Sequence, residues 1–140
     1  MDDCIFCKII NGDIPSMKVY EDEYTYSFMD IAKDVDGHML VIPKKHAKNL
    51  LEIDSESMAH VMDTVQKISK HLVDDCGYEG VNLLNCCNEC ASQSVFHFHM
   101  HIIPRKTNDG VPGIPKFTGA KFPIEEIFNK IKEYFSNTPK

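Results

Sequence analysis

The clearest regular pattern in the chain is an apolar residue at every third or fourth position from residue 58 to residue 76. These positions hold Met58, Val61, Met62, Val65, Ile68, Leu72 and Cys76. The spacing predicts one long amphipathic helix, which Asp54 or Ser55 can cap and which Gly77 can end. A similar stripe follows Pro123 and predicts a C-terminal helix. Its members are Ile124, Ile127, Phe128, Ile131, Tyr134 and Phe135.

Five shorter segments have the composition of β-strands. "MKVYEDE" and "YTYSFMD", residues 17–30, are rich in β-branched and aromatic residues and predict a hairpin. "HMLVIP" at 38–43, "GVNLLN" at 80–85 and "VFHFHMHIIPR" at 95–105 predict three more strands. The order of strands, helix and strands indicates an α+β domain with a mainly antiparallel five-stranded sheet, one long central helix and a C-terminal helix. Residues 106–123, rich in Gly, Pro and Lys, predict a surface segment.

Length and composition narrow the class of protein. A chain of 140 residues fits a single domain over 1–140. A net charge of -6 argues against a nucleic-acid coat or a membrane-surface binder. The acidic start "MDDCIFCKII" lacks the features of a secretory signal, and no segment is long and apolar enough to cross a bilayer. We therefore expect a cytoplasmic protein whose six cysteines are thiols or metal ligands rather than a disulfide framework.

Three histidines alternate with apolar residues in the last predicted strand. Side chains on a strand point alternately to its two faces, so His97, His99 and His101 would line one face. The other face would pack into the core through Phe96, Phe98, Met100 and Ile102. Three interpretations fit this alternation: an exposed strand with a histidine face, a zinc enzyme, and nucleophilic catalysis by an imidazole.

Imidazole suits phosphoryl transfer for a specific reason. With a reference pKa of about 6.5, it is largely neutral and nucleophilic at pH 7. Attack on phosphorus gives a phosphoramidate, whose P–N bond water can cleave in a second step. A second histidine can stabilise the phosphate oxygens or protonate the leaving group.

The histidine segment also resembles a known signature, and the resemblance extends over about residues 4–105. "HFHMHII" matches the histidine triad pattern His-φ-His-φ-His-φ-φ, in which φ is apolar. "CIFCKIINGDIP", "YEDE", "FMDI", "GHMLVIPKKH" and "QSVFHFHMHIIPR" are similar, in order and spacing, to the Hint and bacterial Hit branch of the histidine triad (HIT) hydrolases. The resemblance implies a HIT-like fold with a core over about 4–105 and a variable tail over 106–140.

The resemblance also implies an activity. Members of this family are homodimers that bind purine nucleotides and cleave the bond to the α-phosphate, so we expect a nucleoside phosphoramidase or a related nucleotidyl hydrolase. His99 would be the nucleophile that takes up the nucleotidyl group, and His101 would contact the phosphate. His38 would support the site, and Ser94 would lie near the leaving group.

The same correspondence predicts the nucleotide pocket. Asp30 would hold the ribose hydroxyls, and Gln93 and Ser94 would contact the nucleotide. The apolar walls would be formed by Phe6, Ile9, Phe28 and Ile31, which the pattern of apolar positions alone would assign to the core.

Cys4-x-x-Cys7 is weak evidence for a site by itself. A thioredoxin-like motif does not fit, because no strand precedes it and no helix pattern opens on it. Bacterial members of the family complete a zinc site with the histidine of "PKKH" and the first triad histidine, which are His46 and His97 here. The resemblance therefore implies a structural Cys2His2 zinc site and no organic cofactor.

Two departures from the family leave alternatives open. Cys86 stands where the family has an asparagine that contacts the nucleotide, and a thiol is a poor substitute donor. The tail has no tryptophan, which the Hint branch carries there. The alternatives are a diadenosine polyphosphate hydrolase, which "HIIPRK" also resembles, a nucleotide-binding interaction module with vestigial catalysis, and a zinc-dependent hydrolase whose triad histidines all hold metal.

Overall fold

The computed structural model describes residues 3–113 and 115–137 and contains one antiparallel sheet flanked by helices. The strands are β1 (Lys18–Glu21), β2 (Thr25–Met29), β3 (Met39–Pro43), β4 (Gly80–Leu84) and β5 (Met100–Arg105). The helices are α1 (Ile5–Ile10), α2 (Ser55–Asp74) and α3 (Ile124–Asn137), and Glu89–Ala91 forms a 3-10 turn. The sheet order is β1-β2-β3-β5-β4, and every neighbouring pair is antiparallel. The predicted α+β class and the five-stranded sheet are confirmed.

Helix α2 covers one face of the sheet. Asp54 caps its start by accepting a hydrogen bond from the Ser57 amide at 2.8 Å. The apolar stripe of the helix packs on residues of β3 and β5 and on Phe98 in a first hydrophobic cluster. Its buried members are Met39, Val41, Val61, Val65, Ile68, Leu72, Phe98 and Ile102. Three residues assigned to the stripe are not buried in it: Met58 is only partly buried, Met62 is 40% exposed, and Cys76 lies beyond the end of the helix and is exposed.

The opposite face of the sheet carries a second cluster, which helix α1 helps to cover. Its buried members are Phe6, Ile9, Tyr26, Phe28, Leu40 and Ile42. Alternate residues of β3 point to the two faces, so Met39 and Val41 belong to the first cluster and Leu40 and Ile42 to the second. Because both faces of this strand are covered, its five residues are all buried.

Helix α1 corrects one prediction. Cys4 is its N-cap, with its Sγ accepting a hydrogen bond from the Cys7 amide at 3.4 Å, so a helix does open on the Cys-x-x-Cys motif. The signal was present in the apolar residues Phe6, Ile9 and Ile10, followed by Asn11 and Gly12. A helix of only six residues gives too few turns for this spacing to stand out.

The tail forms helix α3 after an irregular segment, as predicted, but the apolar stripe of this helix is not packed in either cluster. Ile124 is 78% exposed and Ile131 is 59% exposed. The side chain of Tyr134 lies outside the described residues. Among the described helices, none combines the length and the apolar character needed to cross a membrane.

Candidate active site and metal-ligand cluster

The three triad histidines lie at the start of β5 and in the segment just before it. Only His101 lies within the strand, whereas His97 and His99 precede it, and the Phe98 amide is fixed by a 2.8 Å hydrogen bond to the Ala47 carbonyl. The predicted alternation holds, because Phe98, Met100 and Ile102 pack in the first cluster and the histidines lie on the opposite side. Phe96 is the exception: it is 43% exposed and lies outside the core.

His99 is held in one tautomer by the backbone. Its Nδ1–H donates to the His97 carbonyl at 2.7 Å, since a carbonyl oxygen can only accept. Its ring packs edge-on against Phe6, with 5.2 Å between the ring centroids, and is almost fully buried. Burial lowers the pKa of His99 below the usual histidine value, so the ring is neutral at pH 7. The Nε2 atom therefore carries the lone pair that a nucleophile needs.

His101 lies beside His99 and is bonded to His38. The ring centroids of His99 and His101 are 5.0 Å apart, and His101 Nδ1 lies 2.8 Å from His38 Nε2. His38 Nδ1 in turn lies 2.9 Å from Asp34 Oδ1. Burial lowers the pKa of His101 to about 4, and His99 and His38 act in the same direction. His38 is thus in direct contact with a triad histidine, while its supporting role stays a prediction.

A cavity of about 380 Å³ opens next to His99 and His101, within the size range of ligand pockets in proteins. Most of the residues predicted to contact the nucleotide line this cavity. The predicted contacts that line this cavity are Phe6, Ile9, Phe28, Asp30, Ile31, Ser94, His99 and His101. Phe28 belongs to both the second cluster and the cavity wall, while Ile31 is 79% exposed. Ser94 also borders a second groove, together with Asp3, Ile5 and Phe96.

Gln93 is not among the described residues that line the cavity. Its buried side chain donates to the Lys48 carbonyl at 2.7 Å and to the Val95 carbonyl at 3.1 Å. Its Oε1 accepts from the Asn88 amide at 2.8 Å. Gln93 thus holds the loop before the triad in place, an arrangement that needs tertiary contacts and leaves no local sequence signal.

The loop before the triad contains two residues with backbone conformations typical of glycine. Asn88 has φ of 72° and ψ of 161°, and Ser92 has φ of 73° and ψ of 23°, so both residues take positive φ values that favour glycine. Asn85 donates to the His99 carbonyl at 2.9 Å, a contact that no sequence pattern predicted. Cys86 is not among the residues that line the cavity within the described chain.

A separate cluster of possible metal ligands lies near the N-terminus of α1. Its members are Cys4, Cys7, His46 and His97. His97 Nδ1 lies 3.3 Å from Cys4 Sγ, 3.5 Å from Cys7 Sγ and 3.2 Å from His46 Nδ1. His97 Nε2–H donates to the Pro43 carbonyl at 2.8 Å, so Nδ1 carries the lone pair toward the thiols. Burial and the hydrogen bond with Cys4 raise the pKa of Cys7 to about 11.

These separations fit a tetrahedral metal. Zinc bonds of about 2.0–2.3 Å to nitrogen and sulfur put neighbouring ligand atoms about 3.3–3.8 Å apart. All four donor atoms lie within 4.8 Å of one another. A Cys2His2 set with one histidine anchored by a backbone carbonyl has the chemistry of a closed structural site.

The geometry does not bring the three triad histidines to one metal. His97 turns its free nitrogen to the thiols, and His99 and His101 bond other partners through Nδ1. Within the described residues, the candidate metal-ligand groups separate His97 from His101, and His99 belongs to neither. The second group, Asp30, His38 and His101, is held by the short His38–His101 hydrogen bond.

Comparison with known proteins shows which family the chain belongs to. The family model described as HIT domain matches residues 11–108. The chain belongs to the HIT domain family. The crystal structure of a HIT family member from Bacillus subtilis superimposes with a TM-score of 0.83 at 42% identity, covering 99% of each chain. The resemblance to this family is therefore confirmed, and so is the fold.

Two further relatives bear on chemistry. The present chain is 40% identical over 135 residues to a Schizosaccharomyces pombe protein named adenosine 5'-monophosphoramidase hnt1. The match covers 92% of this chain and 98% of the relative. The chain is 34% identical to a zinc-bound histidine triad family protein from Mycobacterium smegmatis, whose crystal structure superimposes with a TM-score of 0.75. That match covers 79% of this chain and 81% of the other.

Proposed function

We propose that this HIT family member is a purine nucleotide-binding hydrolase that cleaves at the α-phosphate, as a nucleoside phosphoramidase or a related nucleotidyl hydrolase. The observation that carries the proposal is the His99 ring, which is neutral, fixed through Nδ1 and bordering a cavity, with no described residue hydrogen-bonded to its Nε2. The relationship to a protein named adenosine 5'-monophosphoramidase supports this reaction class.

The reaction consists of two displacements at phosphorus. His99 Nε2 attacks the α-phosphorus, the P–Nε2 bond forms, and the bond from phosphorus to the leaving amine breaks. The amine takes up a proton from the neighbourhood of His101 and Ser94, which both border the cavity beside His99. Water then attacks the same phosphorus, the P–Nε2 bond breaks, and the nucleoside monophosphate leaves with His99 restored.

The cavity supports a nucleotide as the group that is transferred. We assign Phe6, Ile9, Phe28 and Ile31 to the purine, because flat apolar surfaces suit the faces of a base. Asp30 would accept hydrogen bonds from the ribose hydroxyls, with His101 contacting the phosphate. Gln93 would act indirectly, by holding the loop that carries Ser94.

We also propose that the four-residue cluster binds a structural zinc ion. The tetrahedral separations support it, as does the zinc-bound relative. Zinc would cross-link α1 to the segments that carry His46 and His97, and would hold the loop from which His99 is presented. It would take no part in the displacement at phosphorus.

We also propose that the protein is a homodimer and that it is located in the cytoplasm. The edge strand β4 has an unpaired side within the described chain, and Leu83 and Leu84 on it are 43% and 45% exposed. Pairing with a second copy would cover this edge. None of the six cysteines, all of which lie in the described residues, forms a disulfide, which supports a reducing compartment.

The decisive experiment is the intact mass of the protein after brief mixing with an adenosine phosphoramidate at low temperature. We expect wild type to gain one adenylyl group transiently and His99→Ala to gain none. His99→Gln, which keeps the volume of the side chain, separates loss of the nucleophile from loss of packing. The matched control is His71→Ala, which removes an exposed histidine of α2.

Rates are measured on the same variants. We expect the kcat of His99→Ala to fall by about three orders of magnitude or more, because a covalent nucleophile is lost, whereas His71→Ala should retain wild-type kcat. A loss of less than tenfold in both His99 variants would contradict the proposal. Tight binding of AMP with neither an adduct nor turnover would favour the interaction module, whose support is Cys86 in place of the expected asparagine.

A further inference from the structure

A chain of hydrogen bonds runs from the protein surface to the cavity through His38. Asp34, whose side chain is 56% exposed, lies 2.9 Å from His38 Nδ1. His38 is buried, and its Nε2 lies 2.8 Å from Nδ1 of His101, which lines the cavity. Both nitrogens of His38 are therefore engaged, one with a carboxylate and one with a triad histidine.

The Asp34 carboxylate determines which atom is the donor in each of these hydrogen bonds. Because an ionised carboxylate can only accept, His38 Nδ1 carries the hydrogen and donates to Asp34. With its hydrogen on Nδ1, His38 presents the lone pair of Nε2, which accepts from His101 Nδ1–H. The remaining nitrogen of His101, Nε2, is left to exchange a proton at the cavity.

We propose that Asp34 is a positioning residue for the reaction: it holds His38 in the tautomer that accepts from His101, and its charge favours the protonated form of His101 that donates to the departing amine. The inference rests on the proposed phosphoramidase function. It deepens that function by naming the residue that positions and charges the proton donor.

Each proton that His101 gives up in the first displacement is returned in the second. As the P–N bond to the amine breaks, His101 Nε2–H gives its proton to the amine nitrogen and becomes neutral. When water attacks the nucleotidyl group on His99, the proton released by the water returns to His101 Nε2. The protein ends the cycle in its starting state, with no further co-reactant.

The charges around His101 explain why a carboxylate is needed. Burial disfavours the imidazolium and lowers the pKa of His101 to about 4, and the carboxylates of Asp30 and Asp34 act in the opposite direction. Asp30 lies close to His38 Nε2, at 3.7 Å, while Asp34 bonds the opposite nitrogen. The hydrogen bond to His38 also lowers the pKa of Asp34, which keeps its carboxylate ionised at pH 7.

Two variants separate the charge of Asp34 from its hydrogen bond. Asp34→Asn keeps an oxygen that can accept from His38 Nδ1–H and removes the charge, whereas Asp34→Ala removes both. Asp36→Asn is the matched control, because Asp36 is an exposed aspartate two residues further along the same loop. The substrate is an adenosine phosphoramidate, and kcat and KM are measured from pH 5 to pH 9.

The expected signature is a displaced pH profile. The donor must be protonated, so kcat falls as pH rises through the pKa of His101 in the complex. Removing the negative charge lowers that pKa, so the alkaline limb of Asp34→Asn should move to lower pH by about half a unit to one unit. At pH 7 kcat should fall about three- to tenfold, with KM changed less than twofold. The kcat of Asp34→Ala should fall further, and the kcat of Asp36→Asn should match that of wild type.

A measurement without turnover tests the same inference independently. Nitrogen chemical shifts of the histidine rings report the tautomer of His38 and the pKa of His101 in the absence of substrate. Wild type should have His38 protonated on Nδ1, Asp34→Ala should lose this preference, and Asp34→Asn should lower the pKa of His101. Unchanged ring shifts and pH profiles in both Asp34 variants would overturn the role of Asp34. Absence of an adenylyl adduct in wild type would instead overturn the proposed function, and the ring shifts alone would then decide the tautomer assignment.

Discussion

At the scale of single residues, His97 has two separate tasks. Its side chain faces the thiols of Cys4 and Cys7, and its backbone carbonyl accepts the hydrogen that fixes the tautomer of His99. The alternation of histidines predicted that these rings share one side of the segment. The direction of each hydrogen could not be predicted, because it depends on Pro43 and other partners distant in sequence.

We predict that Cys7→Ser lowers both the zinc content and the thermal stability of the protein. Serine is a poor zinc ligand, and losing a structural metal removes a cross-link between α1 and the triad segment. The zinc content of purified protein is measured by elemental analysis, and the unfolding temperature by circular dichroism. Cys76→Ser, at an exposed cysteine beyond α2, is the control. One zinc per chain in Cys7→Ser, or none in zinc-supplied wild type, would contradict the proposed metal site.

At the scale of elements, the loop between β4 and the triad connects the nucleophile to its surroundings. Asn85 bonds the His99 carbonyl, and Gln93 bonds the backbone of Lys48 and Val95. The long helix α2 and the strands were predictable, since their patterns of apolar positions repeat over many residues. The course of this loop was not, because its hydrogen bonds join segments up to 45 residues apart.

We predict that Ser92→Gly stabilises the protein. Ser92 has φ of 73°, where a side chain clashes with the backbone and costs about 1 kcal/mol, while glycine adopts this conformation freely. The midpoint of urea unfolding should therefore rise. Ser92→Ala keeps the unfavourable backbone conformation, removes only the hydroxyl, and should leave the midpoint close to that of wild type. An unchanged or lower midpoint in Ser92→Gly would show that the conformation costs nothing here.

At the scale of the whole molecule, the sheet separates two functions. Helix α2 packs on one face and forms the larger core, and the cavity and the cluster of Cys4 lie on the other face with α1. Substitutions in the α2 face can therefore alter stability or assembly without touching the candidate site. Local pattern predicted the sheet, but it did not predict that α3 would leave its apolar stripe largely exposed.

We predict that Leu83→Lys converts a dimer into a monomer. Leu83 pairs with Ile102 in register, so it lies on the α2 face rather than on the face of His101. A lysine on an edge strand opposes pairing with another strand. Light scattering after size exclusion should give twice the 16.0 kDa of one chain for wild type and a single chain for the variant.

Val19→Lys is the matched control for this prediction. Val19 lies on the other edge strand, β1, and is 42% exposed, similar to Leu83. We expect this variant to keep the wild-type mass. A dimer in Leu83→Lys, or a monomeric wild type, would contradict pairing through β4.

The double use of His97 has a practical consequence for enzymology. If zinc binds the cluster and thereby holds His97 where its carbonyl aligns His99, molecules that lack the metal should have a poorly placed nucleophile. A preparation would then be a mixture of working and idle molecules. Specific activity calculated per mole of protein would vary between batches, whereas activity calculated per mole of bound metal would be constant.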